Sequence, residues 1–262
     1  MSGLLARIVE TKRAEIARLR DAPIARADRA ACDVAGALKK PGELALVAEV
    51  KFRSPSAGAL SRALGPGERA LAYAEAGAAM VSVLCDGAFF DGSYDDLAAA
   101  RTALDAHGFG ATPLLAKEFV IDPAQIERAR AAGADAALLI VRIAPDGALG
   151  ELVAACRASG LEPFVEVADE AELERALAAG ARVVGVNARD LDTLAMDADR
   201  AARVVASVPS DRIAVHLSGL RDPEAVAAAA KTRADAALLG EALMREDDPR
   251  DILKRMLARA RK

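Results

Sequence analysis

Eight short apolar runs, each of strand length and each followed by helical sequence, constrain this chain more than any other feature. They are LALVAEV at 44 to 50, AMVSVL at 79 to 84, PLLAK at 113 to 117, DAALLIV at 135 to 141, PFVEV at 163 to 167, VVGVN at 183 to 187, IAVHLSG at 213 to 219 and DAALLG at 235 to 240. Their spacing of roughly 20 to 35 residues is what one strand-plus-helix unit needs. Apolar residues at successive positions cover both faces of each strand, which is the mark of a parallel sheet buried between helices. The stretches between the runs carry helix boundaries. Asp122, Asp169 and Asp222 stand where a side chain can cap the first turn of a helix. Gly77-Ala78, Gly133-Ala134-Asp135 and Gly180-Ala181 recur where a helix must stop and turn into the next strand.

Eight such units invite closure into a (β/α)8 TIM barrel. An open doubly wound sheet is the competing fold. No G-x-G-x-x-G follows the first run, and the polar residues are spread around nearly all the strand ends rather than gathered at one switch point. No linker rich in Gly, Pro or Ser interrupts the chain, so one barrel domain over 1–262 is expected. Before residue 44, the positions Leu4, Leu5, Ile8, Val9, Ile16 and Leu19 recur at helical spacing among charged residues, which predicts a helical N-terminal extension over 1–43.

Composition narrows the function. Aromatic residues make up 3% of the chain and Trp is absent, so there is no stacking platform for bases; a net charge of −4 provides no field for a phosphate backbone. A nucleic-acid partner is therefore not expected. No window approaches the roughly 20 apolar residues of a membrane span, and the N-terminal segment lacks the apolar core of a signal peptide. Cys32, Cys85 and Cys156 lie far apart with no C-x-x-C pair, against a disulfide framework or a structural zinc site. A reducing, cytoplasmic location and no metal are the expectations.

In a barrel the loops after the strands form the catalytic face, so charged residues at strand ends are candidates for chemistry. The first run ends in Glu49 and Lys51, the third in Lys117-Glu118, the fifth in Glu166, the sixth in Asn187, the seventh in Ser218-Gly219 and the eighth in Gly240-Glu241. Two ammonium groups and two or three carboxylates sharing one mouth can hold an acid and a base at different pKa values, as proton transfer requires. Each has a plainer alternative, Glu49 as an ion-pair partner that orients Lys51 and Asn187 as a turn residue. The glycines after the last two strands are where barrels hold a phosphate with backbone N–H groups. His107 falls in a loop before the third strand and His216 within the seventh, and neither is a catalytic candidate.

The ordered motifs resemble those of the indole-3-glycerol-phosphate synthase family. They are Ala48-Glu-Val-Lys-Phe-Arg-Ser-Pro-Ser-Ala-Gly58, Val81-Ser-Val-Leu84 with Phe89-Phe-Asp-Gly-Ser93, Lys117-Glu-Phe-Val-Ile-Asp-Pro123, Leu138-Leu-Ile-Val141, Val165-Glu-Val167, Gly185-Val-Asn-Ala-Arg-Asp-Leu191, Ser218-Gly219 and Gly240-Glu-Ala-Leu-Met244. The resemblance implies a carboxy-lyase of tryptophan biosynthesis that closes an indole ring on a carboxyphenylamino-deoxyribulose phosphate, releasing carbon dioxide and water without a cofactor. It implies Lys117 as the acid at the carbonyl oxygen, Lys51 on the substrate carboxylate and as a proton source in dehydration, and Glu166 at the ring proton or the iminium-like charge. Glu49 and Asn187 would orient these groups. Ser54, Arg189 and Ser218 would lie by the substrate's polar groups, Phe90, Phe119, Leu139 and Leu191 would form the apolar pocket, and Gly219, Gly240 and Glu241 would hold the phosphate. The division of the two acid roles between the lysines stays open, as does the choice between a monomer and association with other enzymes of the pathway.

The chain also departs from that pattern. Leu217 stands where Glu is usual, Arg142 where a small residue is expected, Cys85 for Thr, Glu118 for Asp and Ala242 for Ser. Together Leu217 and Arg142 are expected to make the mouth more positive, with stronger anion binding or a shifted substrate as the outcome. The alternatives are a phosphosugar barrel enzyme such as phosphoribosylanthranilate isomerase, a paralogue of altered substrate, or a non-catalytic barrel that binds a partner. The isomerase would want an Asp/Cys or Asp/Asp pair in place of the lysines.

Overall fold

The computed structural model describes residues 3–21, 29–144 and 147–262. The eight runs form the strands β1 (Ala45–Val50), β2 (Met80–Leu84), β3 (Leu114–Lys117), β4 (Ala136–Ile140), β5 (Glu162–Val167), β6 (Val183–Asn187), β7 (Ile213–Leu217) and β8 (Ala236–Leu239). All neighbouring pairs are parallel, and β8 returns to β1, with Ala45 beside Ala236, to close the barrel. The open-sheet alternative is thereby excluded. The expected strand ends hold to within one or two residues. Two differences are physical: Val141 leaves β4 for a 3₁₀ turn, and Ser218-Gly219 leave β7 because both take a left-handed backbone, with φ of 69° and 93°.

The helices are α1 (Leu4–Asp21), α2 (Val34–Leu38), α3 (Pro66–Ala76), α4 (Gly87–Phe90), α5 (Tyr94–Ala106), α6 (Pro123–Ala131), α7 (Ala148–Ala158), α8 (Glu170–Ala178), α9 (Ala198–Ser207), α10 (Pro223–Ala230), α11 (Glu241–Met244) and α12 (Arg250–Leu257). Asp122, Asp169 and Asp222 accept hydrogen bonds from Ala124 N, Glu172 N and Ala225 N, so each satisfies an amide that the first turn leaves without a helical partner. Gly77, Gly133 and Gly180 end α3, α6 and α8 with positive φ. The alanine-rich surfaces allow close packing. A methyl added at Gly67 on α3 would stand 2.9 Å from the carbonyl of Ala99 on α5, so this helix pair touches backbone to backbone.

Two apolar layers follow from the two faces of the strands. Val47, Met80, Leu115, Leu138, Phe164 and Val215 fill the barrel interior, while Leu46, Val81, Leu114, Leu139, Val165 and Val184 face the helices. Full burial of each such side chain stabilises the fold by about 1.5–3 kcal/mol.

The N-terminal extension carries two helices, α1 and α2, while its described residues 29–33 and 39–43 are not helical; residues 1, 2 and 22–28 lie outside the described residues. It reaches both ends of the barrel. Leu5, Ile8 and Val9 of α1 join the inner cluster beside Phe119, Phe89, Phe90 and Leu191 at the mouth. Val34, Ala35 and Leu38 of α2 join the same cluster from the opposite end, where Lys39 donates to the carbonyls of Ser210 and Arg212 ahead of β7. Among the described residues no helix is long and apolar enough to cross a membrane.

Candidate active site

Strand alternation builds the site. Residues two apart on a strand share a face, so the interior positions Val47, Leu115, Phe164 and Gly185 put Glu49, Lys117, Glu166 and Asn187 on that same face, one step nearer the mouth. Lys51, two beyond Glu49, completes the set. These five side chains line one pocket on the catalytic face.

Glu49 is its electrostatic hinge. Its Oε1 lies 2.6 Å from Lys51 Nζ and its Oε2 lies 3.8 Å from Lys117 Nζ, so one carboxylate faces two ammonium groups. Burial pushes the Glu49 pKa up, but Lys51 and Lys117 outweigh it and hold the carboxyl below its ordinary value. Across the pocket, Glu166 Oε1 accepts from Asn187 Nδ2 at 2.8 Å, whereas its Oε2 is buried with no hydrogen-bond partner among the described residues. A buried carboxylate oxygen left unpaired is costly for folding, so its presence here calls for a partner that enters the pocket. Asn187 is fixed in turn, since its Oδ1 accepts from Arg189 N at 3.0 Å. The plain reading of Glu49 as an orienting partner and that of Asn187 as a turn residue are both geometrically correct, and both act inside the site.

Gly240 explains itself here. A methyl at this position would lie 2.5 Å from Glu49 Oε1 and 3.0 Å from Lys51 Nζ, so the glycine clears space for the ion pair. It also precedes α11 without a side-chain cap. Ser218, Gly219, Gly240 and Glu241 meet at the same rim of the pocket, together with Arg221, which the strand-end rule did not single out. Glu241 is held below its usual carboxylate pKa by a hydrogen bond from Arg245. Ser54 is buried, with its Oγ accepting from Ala57 N, and Arg189 donates to the carbonyl of Leu194. Phe90 and Phe119 stack at a tilt of 36° with centroids 5.8 Å apart, and Leu191 lies near them on the wall.

Leu139 requires a correction. It faces the helices and does not line the pocket; its neighbours Leu138 and Ile140 do. The register pairs Ile140 with Glu166 and Leu139 with Val165, so the two-residue period that turns Glu166 inward also turns Ile140 inward and Leu139 outward. The expected positive field needs a second correction. Leu217 does face the mouth, packed over the space above Gly185, but Arg142 adds no free charge. Its Nε lies 2.9 Å from Glu172 and its Nη1 2.8 Å from Asp190.

The extension supplies what strand ends could not reveal. Leu4 and Ile8 line the pocket, and Lys12, 1% exposed, places its Nζ 2.6 Å from Asp86, 3.1 Å from Glu118 and 2.9 Å from Glu15. Asp86 caps α4 through the amides of Phe89 and Phe90, while Glu118 follows Lys117 directly. Burial, with Asp86 adding to it, pushes the Glu118 pKa up to about 7 against the pull of Lys12. A signal existed: Leu5, Ile8 and Val9 set an apolar stripe, and a lysine one turn beyond Ile8 on that stripe needs a buried partner. His107 is exposed and closes α5, and His216 is half-buried on β7, its pKa lowered by burial, outside the pocket. Cys32, Cys85 and Cys156 are unpaired thiols. Among the described residues no group of three or more His, Cys, Asp or Glu side chains is placed to hold a metal ion.

A closed parallel barrel whose mouth gathers Lys51 and Lys117 with Glu49, Glu118, Glu166 and Glu241 beside an apolar wall defines a (β/α)8-barrel enzyme suited to acid–base chemistry on a small molecule. Comparison with known proteins makes the assignment particular. The family model for indole-3-glycerol phosphate synthase matches residues 5–256. The chain is 46% identical over 218 residues to the indole-3-glycerol phosphate synthase of Mycobacterium ulcerans (strain Agy99), covering 83% of this chain and 78% of that one. With the enzyme of the same name from Mycobacterium sp. (strain KMS) it shares 44% identity over 255 residues, 94% and 91% of the two chains. The chain belongs to the indole-3-glycerol phosphate synthase family. Solved structures of a thiamine phosphate pyrophosphorylase from Pyrococcus furiosus (TM-score 0.63, 84% of this chain and 96% of that one) and of a 3-hexulose-6-phosphate synthase (TM-score 0.64, 82% and 99%) share the fold at 17% identity.

Proposed function

We propose that the mouth closes the indole ring of 1-(2-carboxyphenylamino)-1-deoxyribulose 5-phosphate, with loss of carbon dioxide and water, through Lys117, Lys51 and Glu166. The observation that carries this reading is the split of the charged groups: Glu49 faces both lysines, and Glu166 stands opposite with one buried oxygen unpaired. Carbon–carbon bond formation at a ketone needs a proton donor near its oxygen, and Lys117, farther from Glu49 than Lys51 is, serves there. Lys51 meets the anthranilate carboxylate, which leaves as carbon dioxide, and supplies a proton when the hydroxyl departs as water. Glu166 stabilises the positive charge that develops on the nitrogen-bearing ring and takes the proton whose loss restores aromaticity.

The remaining groups bind. Phe90, Phe119 and Leu191, joined by Leu138 and Ile140, hold the aromatic ring, with Ser54 and Arg189 near its polar substituents. The phosphate is held at the rim by Ser218, Gly219, Gly240 and the backbone of Glu241. The carboxylate of Glu241 is already engaged by Arg245, which limits its repulsion of the phosphate. No cofactor enters this scheme. Three unpaired cysteines support a cytoplasmic location.

The test is direct: indole absorbance and fluorescence appear when the purified protein meets the ring-closure substrate. Lys117→Ala and Glu166→Gln variants are expected to lose about 10²-fold or more in kcat. Unchanged turnover in both would overturn these roles.

A further inference from the structure

We infer that Arg142 is a positioning residue for the reaction, a two-pronged clamp that fixes the Glu166–Asn187 pair by tying together the loops that leave β5 and β6. Glu166 and Asn187 sit on different strands, and their 2.8 Å hydrogen bond holds only while those strand ends keep their relative position. Past the strands the backbones diverge. The chain after β5 enters α8, where Glu172 Oε2 accepts from Ala168 N at 2.7 Å and so ties the first turn of the helix to the residues just beyond Glu166. The chain after β6 carries Arg189 and Leu191 into a turn organised by Asp190. There Asp190 Oδ1 accepts from Asp192 N at 3.0 Å, Thr193 N at 2.8 Å and Thr193 Oγ1 at 3.0 Å.

Arg142 uses the oxygens that these two carboxylates have left. Its Nε donates to Glu172 Oε1 at 2.9 Å and its Nη1 to Asp190 Oδ2 at 2.8 Å. A planar guanidinium can hold two carboxylates in fixed directions, which a lysine's single nitrogen cannot do with the same constraint. The clamp lies beside the reacting groups, because Arg142, Glu172, Glu166, Asn187 and Arg189 line one small crevice behind the main pocket. Its reach continues outward: Asp192, in the turn that Asp190 organises, accepts from Leu5 N of α1, whose neighbours Leu4 and Ile8 cover the mouth. The arginine expected to add charge to the mouth therefore spends it on geometry.

This inference rests on the ring-closure reading, and the two can fail separately. Arg142→Ala is expected to lower kcat by about tenfold or more with KM changed less than about threefold, since a misplaced Glu166 affects the chemical step more than binding. Added guanidinium is expected to restore part of kcat by refilling the cavity between Glu172 and Asp190. Arg142→Lys is expected to fall between wild type and Arg142→Ala. Should Arg142→Ala fail to fold, Asp190→Asn, which weakens the same clamp at its more exposed end, is expected to lower kcat at least about threefold. Wild-type turnover with unchanged kcat in the folded variant overturns the inference, as does a loss that matches the unfolded fraction in the melting curve. A folded wild type that closes no ring overturns the functional reading instead.

Discussion

Replacing Gly240 with alanine separates activity from stability. The added carbon would stand 2.5 Å from Glu49 Oε1, about 1 Å inside the roughly 3.5 Å at which non-bonded atoms are comfortable, and 3.0 Å from Lys51 Nζ. Both clashing atoms are tips of side chains, and Gly240 has φ of −121°, which alanine adopts without left-handed strain. The backbone can therefore stay in place while the ion pair moves aside. Overpacking of this kind costs about 1 kcal/mol, at the low end of its range, which lowers Tm by about 2–4 °C in a protein of this size. The chemistry has no such latitude. Glu49 Oε1 must shift by about 1 Å and Lys51 Nζ, held 2.6 Å from it, is carried along; a displacement of about 1 Å lowers kcat/KM by about 10²-fold when it moves a reacting group. Indole fluorescence gives kcat and KM, and a thermal melt gives the stability. Turnover within about threefold of wild type would refute the idea that the glycine exists to admit the ion pair. A rise confined to KM would refute it too, and would assign the glycine to phosphate contact.

Other consequences follow from the charges beneath α1. Lys12→Met strips the ammonium from Asp86 and Glu118, and denaturant unfolding is expected to show a loss of about 3–5 kcal/mol, the usual effect of leaving a buried charge uncompensated. Glu118 carries a pH signature. Its folded pKa, about 7, lies above the ordinary carboxylate value, so its protonated form favours the folded state; the contribution is fully present below the unfolded pKa and is lost as pH rises through 7. A shift of that size amounts to at most about 3 kcal/mol, so Glu118→Gln is expected to flatten the fall in stability between pH 5 and 8, and an unaltered fall would show that another group governs it. Gly92→Ala would put a carbon 2.1 Å from the carbonyl oxygen of Leu84, a backbone atom that cannot step aside, and a clear drop in Tm is expected on calorimetry.

The fold was legible because a parallel barrel writes itself locally. Each strand is apolar on both faces, several helices open on a capping residue such as Asp122 or Asp169, and several close on a glycine such as Gly133 with a left-handed backbone. The charged core of the site was legible for a related reason, since the end of a strand is visible in sequence and Glu49, Lys117 and Glu166 mark three of them. Leu139 was misassigned although the needed rule is simple: counting in twos from the register partner of Glu166 selects Ile140 and Leu138. Arg142 and Lys12 were not legible in the same way. What each does depends on partners brought from other loops, Glu172 with Asp190 in one case and Asp86 with Glu118 in the other, and no local pattern reports a contact 106 residues away such as Lys12 with Glu118.

The extension that grips both ends of the barrel also sets an order of events during synthesis. Lys39 bonds to carbonyls 171 and 173 residues downstream, and Lys12 needs Asp86 and Glu118, so segments made early cannot dock until several later units exist. At ribosomal speeds of about 5–20 residues per second, Lys39 waits roughly 10 to 30 s for Ser210 and Arg212 to emerge. Until Asp86 and Glu118 have emerged, the latter 106 residues downstream, α1 presents Leu5, Ile8 and Val9 beside a Lys12 whose early partner is Glu15 of the same helix, which is the kind of segment that chaperones hold. The same helix that covers the finished mouth is thus among the first parts of the chain to be exposed and among the last to be buried.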